Sequence, residues 1–377
     1  MKIRINRKRL VTTAALTLMC AILAVLPGFD AGRFAPAGSV KTEVLSTDDS
    51  AVYQTGIIRQ GDQYCELLIK QGERSGEIVR GANKLIGKLE LDKMFSVGDT
   101  ALIALDFSVD GSIIQPVTMV DHYRIGAEAW LFGGFVFLLV IFAGLTGFNA
   151  LMSFVVTVMT VWKVLVPALL GGIDPIGVSL AITVGLTLII VYAIGGFTRK
   201  ATAAALGSLL GTALTALLAL WGGTAFKIHG AVMPFAENLL YSGYSHLDLT
   251  RIFLSCVFIA SSGALMDLGM DISSAVAEVA VKNPSLTRRE LINSGLSVGR
   301  SVIGTMTTTL LLAYSGGYLS LLMLFMAQGT PIVNILNLKY VAAEIMHTLI
   351  GSIGLVTVAP FTALVAGALL GRSPRRE

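Results

Sequence analysis

The chain has 377 residues, of which 54% are hydrophobic and only 14% charged, and its mean hydropathy is +0.76. A soluble domain carries about 25% charged residues, so this composition describes a polytopic membrane protein and excludes an ordinary globular one. A net charge of +4 gives no reason to expect nucleic acid as a partner, and three well-separated cysteines, Cys20, Cys65 and Cys256, imply neither a disulfide framework nor a CxxC metal site.

Leu10 to Leu26 forms a short apolar helix behind the basic residues Lys2, Arg4, Arg7, Lys8 and Arg9. Residues 1–30 are therefore a signal-like segment or an uncleaved anchor, and the anchor is the preferred reading. Either fate places the next segment outside the cytoplasm. Arg372, Arg375 and Arg376 close the chain, so both termini read as cytoplasmic.

Residues 31–124 form a separate extracytoplasmic module. Runs of high β content recur at Val40–Leu45, Tyr64–Ile69, Ala101–Phe107 and Ser112–Val120, divided by turn signals at Gly61-Asp62, Gly98-Asp99 and Asp110-Gly111. Pro116 points to an edge or a bulge in the last run. A small antiparallel barrel or sandwich fits, and an OB-like barrel is the first expectation. Its one histidine, His122, sits beside the membrane, and nothing in the module resembles a catalytic constellation.

Residues 125–377 form the multi-pass domain, with about seven spans near 127–146, 149–170, 176–196, 202–222, 250–270, 301–317 and 343–370. The N-terminal helix brings the total to about eight, an even number, as two cytoplasmic ends require. Arg199 and Lys200 then fall on one inner loop, and Lys282, Arg288, Arg289 and Arg300 on another, in accord with the cytoplasmic bias of Lys and Arg. Residues 223–247 read as an outer interfacial or re-entrant segment, and 318–340 as a re-entrant or interfacial hairpin. Lys163, between Trp162 and Pro167, is expected to snorkel to the outer surface. Gly207-x-x-x-Gly211 reads as a face for close helix packing.

The polar residues inside the spans carry the chemistry. Asp267, Asp271, Ser274 and Glu278 recur at i, i+4, i+7 and i+11, one stripe of a 3.6-residue helix. Asp267 follows the uncharged run Ile252–Met266, which at ~1.5 Å per residue puts it roughly two-thirds or more of the way across a bilayer. Carboxylates at such depth face protein or a wet path rather than lipid, unless the helix simply leaves the membrane there. Asn283-Pro284 ends this helix and Thr287 with Glu290 caps the next, so that Arg300 stands at the mouth of the following span, where a stripe carboxylate is a suitable partner. Beyond it Thr305, Thr307, Thr308 and Thr309 either bond to carbonyls of the previous turn or line a polar path. Glu344 and His347, one turn apart, form a candidate outer polar site, competing with a helix start whose polar residues face the headgroups. All four histidines, His122, His229, His246 and His347, fall on the outer side of this topology.

There is no HExxH, GxSxG or Walker A motif, and Asp267 and Asp271 share one helix, unlike the two helices of an intramembrane aspartyl protease. No enzyme activity, cofactor or metal is expected.

Gly263-Ala-Leu-Met-Asp267, Ile272-Ser-Ser-Ala, Glu278, Asn283-Pro284, Ser294-Gly295, Gly299-Arg300, Gly304-Thr305-Met306, Leu311-Leu-Ala-Tyr314, Glu344-Ile345 and Gly351-Ser-Ile-Gly-Leu355 together resemble the signature of the YibE/F family of bacterial membrane proteins. The outer module ending at Asp121-x-Tyr123-Arg124 is similar as well. The family pattern commonly has an acid where this chain has Ser301, an asparagine where it has Thr308, and a basic residue at the position of His347. The resemblance implies a multi-pass protein of the cell membrane, often labelled a transport or efflux protein, with no established substrate. The expected function is thus an efflux permease for an unknown small solute or ion, coupled to a proton or cation. The alternative is a non-transporting scaffold that recruits partners through its outer module. The bilayer is the one certain partner, joined by a second copy or another membrane protein.

Overall fold

The computed structural model describes residues 7–27, 38–108 and 110–371. Lys2, Arg4, Arg372, Arg375 and Arg376 lie outside them, as do 28–37, between the first helix and the β module. The chain divides into two compact units, Asp30–Leu138 on one hand and Met1–Phe29 with Leu139–Glu377 on the other.

The smaller unit contains β1 (Gly38–Asp48), β2 (Val52–Thr55), β3 (Ile58–Ile69), β4 (Ile78–Ile86), β5 (Thr100–Leu105) and β6 (Val117–His122). Neighbours run in the order β1-β5-β6-β4-β3, and β3 pairs again with β1, so five strands close into a small barrel while β2 pairs with β3 alone. All pairs are antiparallel except β4 with β6. Strict alternation drives closure: β5 reads half-buried then buried along its whole length, so Ala101, Ile103 and Leu105 point inward to meet Val44, Leu67, Val79 and Met119. Cys65 is one of these core side chains, and burial raises its thiol to about 11.

Three expectations are corrected here. Strands β2 and β4 have no counterpart in the apolar runs. Gly61-Asp62 is not a turn but lies within β3, where Gly61 pairs with Val52 and Leu85. Pro116 precedes β6, itself flanked by β5 and β4, so it marks no edge, whereas the bulge expected in that run is present, the β5–β6 register skipping Val120.

The larger unit is helical. Six helices, or near-continuous helical segments, are long and apolar enough to cross a membrane: Ile125–Leu170, Pro175–Gly195, Arg199–Ala225, Leu249–Lys282, Arg288–Ala327 and Lys339–Leu370. A shorter apolar helix, Thr12–Val25, lies within Arg7–Val25. We label Arg7–Val25 α1 and the six segments α2 to α7 in order. The expected spans 127–146 and 149–170 are one helical segment, bent where Gly144 takes φ 56° and ψ −131°. The bend is sharp enough that a Cβ on Gly147 would lie 3.0 Å from the Leu139 carbonyl carbon. The expected span 301–317 begins earlier, at Arg288, and passes through a tight turn at Gly316–Tyr318 into Leu319–Ala327, so 319–326 continues α6 rather than forming a re-entrant arm. No proline interrupts this stretch. The chain turns back at Gly329 and Pro331 through a short helix, Ile332–Asn337. The 223–247 segment is likewise short helical pieces, Gly230–Val232 and Ala236–Tyr241.

α7 packs on α4, α5 and α6, and α5 on α3, α4 and α6. Lipid is as apolar as leucine, so these helices are held by close fit rather than by expulsion of water. Gly207 and Gly211 of α4 meet Thr362 and Val358 of α7; a Cβ on Gly207 would stand 2.7 Å from the Thr362 Cα. Ser208 donates across to the Leu265 carbonyl at 3.0 Å. Leu265, Leu268, Ile272 and Val276 of α5 then fill the centre with Leu291 of α6 and Leu355, Val358 and Ala359 of α7.

Candidate functional site

α5 buries Leu265, Leu268, Gly269, Ile272, Ser273 and Val276 and leaves the opposite stripe open. Asp267, Asp271 and Glu278 are exposed on that stripe and Ser274 is half-buried. Arg251, near the start of α5, is anchored to Asp174: its Nε donates to Asp174 Oδ1 at 2.8 Å. The Gly177 amide and Arg251 together hold the Asp174 carboxyl below its ordinary value. Asp267 lies sixteen residues beyond Arg251, or about 24 Å along the axis, within the ~30 Å of a hydrocarbon core. Glu278 is drawn elsewhere, to Lys282 Nζ at 2.8 Å.

α6 runs antiparallel to α5. Gly295 faces Val276 and Gly299 faces Ile272, which brings Arg300 to the level of Asp271 and Thr305 to that of Asp267. Arg300 is exposed, and among the described residues no ion pair joins it to the acidic stripe. Thr305, Thr308 and Thr309 are exposed too, each donating to a carbonyl of its own helix: Val302, Gly304 and Thr305, all at 3.0 Å. Half-buried Thr307 donates to the Ile303 carbonyl. The hydroxyl protons are thus committed to the backbone, while the oxygen lone pairs still point outward.

The second cluster is internal. Glu344 and His347 open α7 but turn toward the protein rather than the headgroups. The His347 ring stacks on Tyr314 of α6 with centroids 4.3 Å apart and planes at 25°. Glu344 Oε1, His347 Nε2 and the Tyr314 hydroxyl oxygen are all buried without a hydrogen-bond partner among the described residues. A cavity of about 200 Å³ adjoins Glu344, walled by Leu311, Ser315, Tyr318, Leu322 and Thr348. Buried polar atoms are nearly always paired, so three orphans at one place mark a site rather than a packing accident. Among the described residues no group of three or more His, Cys, Asp or Glu is placed to hold a metal ion.

Sequence spacing found Glu344 and His347 but missed Tyr314 and Tyr318 as their neighbours, and missed the Asp174–Arg251 pair. Two tyrosines in the mostly apolar stretch 310–327 of α6 were the available signal, since a buried phenol needs a partner. Lys163 has partners that the sequence did not show. A π turn at Val161–Leu165 aims its Nζ at the carbonyls of Ala24 and Leu26, 2.8 and 2.7 Å away, so it caps the end of α1. His246 contacts the Leu170 carbonyl at 3.2 Å, and His122, in the barrel unit, packs tilted against Phe95 with ring centroids 4.4 Å apart.

A bundle of apolar helices with internal ionisable groups, preceded by a small β barrel, defines a multi-pass membrane protein. A family model described as YibE/F-like protein matches residues 131–372, well over half of the chain, which therefore belongs to the YibE/F-like family. No curated protein and no solved structure matches it.

Proposed function

We propose that this chain is a bacterial cell-membrane transporter, an efflux permease whose polar path follows α5 and α6 and whose work is coupled to a proton or another cation. One observation carries the reading: Asp267, Asp271, Arg300 and Thr305, Thr308 and Thr309 occupy faces of two packed, spanning-length helices that are exposed among the described residues. Bare lipid is a costly neighbour for such faces, and a wet path or a second copy of the chain is a favourable one. Both termini are cytoplasmic in this reading and residues 31–124 lie outside, which agrees with the basic loops at Arg199–Lys200 and Lys282–Arg300. Eight crossings result when α1 and both arms of the bent α2 are counted.

The test is a proteoliposome flux screen over inorganic ions, peptides and drugs, with and without a pH gradient. Asp267→Asn is expected to insert and fold normally yet abolish flux. Normal flux in that variant removes Asp267 from the path.

A second reading, a non-transporting scaffold, is favoured by the barrel. Its strand order includes one parallel pair, β4–β6, and we read the barrel as OB-like, a fold that offers one face to ligands. A polar cleft of about 380 Å³ opens on it between Ser46, Asp48, Glu66, Arg80 and Gln115. Deleting residues 31–124 then removes function, co-purification finds a stable partner, and Asp267→Asn destabilises the fold. In neither reading is the chain an enzyme.

A further inference from the structure

The cavity beside Glu344 has a composition that narrows what it can hold. Leu311, Leu322, Val341, Ile345 and Leu349 make most of its wall, Tyr318 adds an aromatic ring, and Glu344 is its one acid. Among the described residues no Lys or Arg lines it. A volume near 200 Å³ exceeds the ~150 Å³ that accommodates benzene, and far exceeds the space of a bare inorganic ion. Divalent cations also ask for six or more oxygens, which leucine walls do not supply. Apolar walls, one carboxylate and an aromatic face are the recognition set for a cation clothed in hydrocarbon.

We propose that this cavity binds a monovalent organic cation, an ammonium with apolar substituents, with Glu344 as its counter-ion, and that a proton takes the carboxylate when the cation leaves. The exchange rests on the transporter reading; the binding site does not. Proton and cation exclude each other at a single carboxylate, so binding one weakens the other by the same factor. The titratable groups around Glu344 are few. His347 and, one turn before Glu344, Tyr340 lie on α7 itself, and Tyr314 and Tyr318 lie on α6, the second at its tight turn. The helix Ile332–Asn337 carries none, and α4 and α5 bring Ala219, Leu254 and Val257 to this end of α7.

The test uses benzyltrimethylammonium, whose charge cannot titrate, so that any pH dependence of binding belongs to the protein. Equilibrium dialysis of the probe against the purified full chain in nanodiscs is expected to show one saturable site. Affinity should fall as pH is lowered from about 8 to about 4, because the proton competes for the same carboxylate. Glu344→Gln should abolish both binding and its pH dependence. Ser315→Leu, which fills the cavity and keeps the carboxylate, should abolish binding while the thermal melt of either variant stays cooperative. Glu344→Asp should retain weakened, pH-dependent binding. Unchanged binding in Glu344→Gln overturns the site, as does no saturable binding to the wild type, or Na⁺ binding at Glu344 that persists in Ser315→Leu. A chain that binds in the expected way but moves no solute keeps the site and removes the transporter reading. Solute flux without probe binding does the reverse.

Discussion

Gln63 shows how much one buried amide can hold. Its Nε2 donates to Asp49 Oδ1 and to the Phe95 carbonyl, both at 2.9 Å, and its Oε1 accepts from the Phe95 amide and from Asn83 Nδ2, both at 3.0 Å. The side chain is wholly buried and ties the connection before β5 to the barrel. Gln63→Leu leaves the Phe95 amide and carbonyl unpaired, so the barrel should lose on the order of 3 kcal/mol, read from a urea transition. Asp121 gives the barrel a pH signature. Arg124 Nη1 sits 3.0 Å from its carboxylate, and this bond, with the His122 amide, holds Asp121 below its ordinary value. The stabilisation is present above the unfolded-state value near 3.9 and disappears as pH falls through the lower folded value. Asp121→Asn should therefore flatten the loss of thermal stability below about pH 4, relative to the wild type. The acidic stripe was legible because helical period alone puts Asp267, Asp271 and Glu278 on one face. Their partners were not, since Lys282 lies one turn from Glu278 and reaches it first, whereas Arg300 must reach across from another helix.

Among elements, α4 and α7 meet through glycine. The Gly207-x-x-x-Gly211 face could be read from four-residue spacing, but its partner on α7 lies some 150 residues away and carries no matching motif. Gly207→Val places methyl groups where the Thr362 backbone already stands, and should abolish the monodisperse size-exclusion peak, whereas Gly263→Ala, facing open space, should leave it intact. Span boundaries were less legible than span existence. A helix continues until something stops it, and between Arg288 and Ala327 only the glycine pair at Gly316-Gly317 tightens the backbone without ending it. Strand β4 was hidden for a different reason: Arg80, Asn83 and Lys84 interrupt its inward-facing Val79 and Leu85, so no apolar run announces it.

At the scale of the molecule, two units with separate cores divide the work of folding. The barrel closes on Leu67, Ile69, Ile103 and their neighbours, and residues 38–123 expressed alone should unfold cooperatively by circular dichroism. The helical unit buries side-chain hydroxyls such as Ser208, Thr212 and Thr215 by returning them to backbone carbonyls, so its interior tolerates polarity without water. Three groups near the start of α7 escape that economy, as do the hydroxyls of Ser179 and Thr362. Composition alone gave no hint that Glu344 and His347 would face inward, because either face of a new helix is open to polar residues until its packing partner is known.

The capping of α1 by Lys163 bears on the fate of the first helix. Leu16 and Leu23 of α1 are packed against Val156 and Ala193, and Thr13 donates to Asn149 at 2.7 Å. Proteolytic removal of α1 would take both carbonyl partners from the Lys163 ammonium and the Thr13 hydroxyl from Asn149, and strip an apolar wall from two neighbours. An epitope placed before Met1 should accordingly remain on the full-length band in membranes, and its disappearance would mean that the cell cuts away a helix the rest of the bundle is shaped to hold.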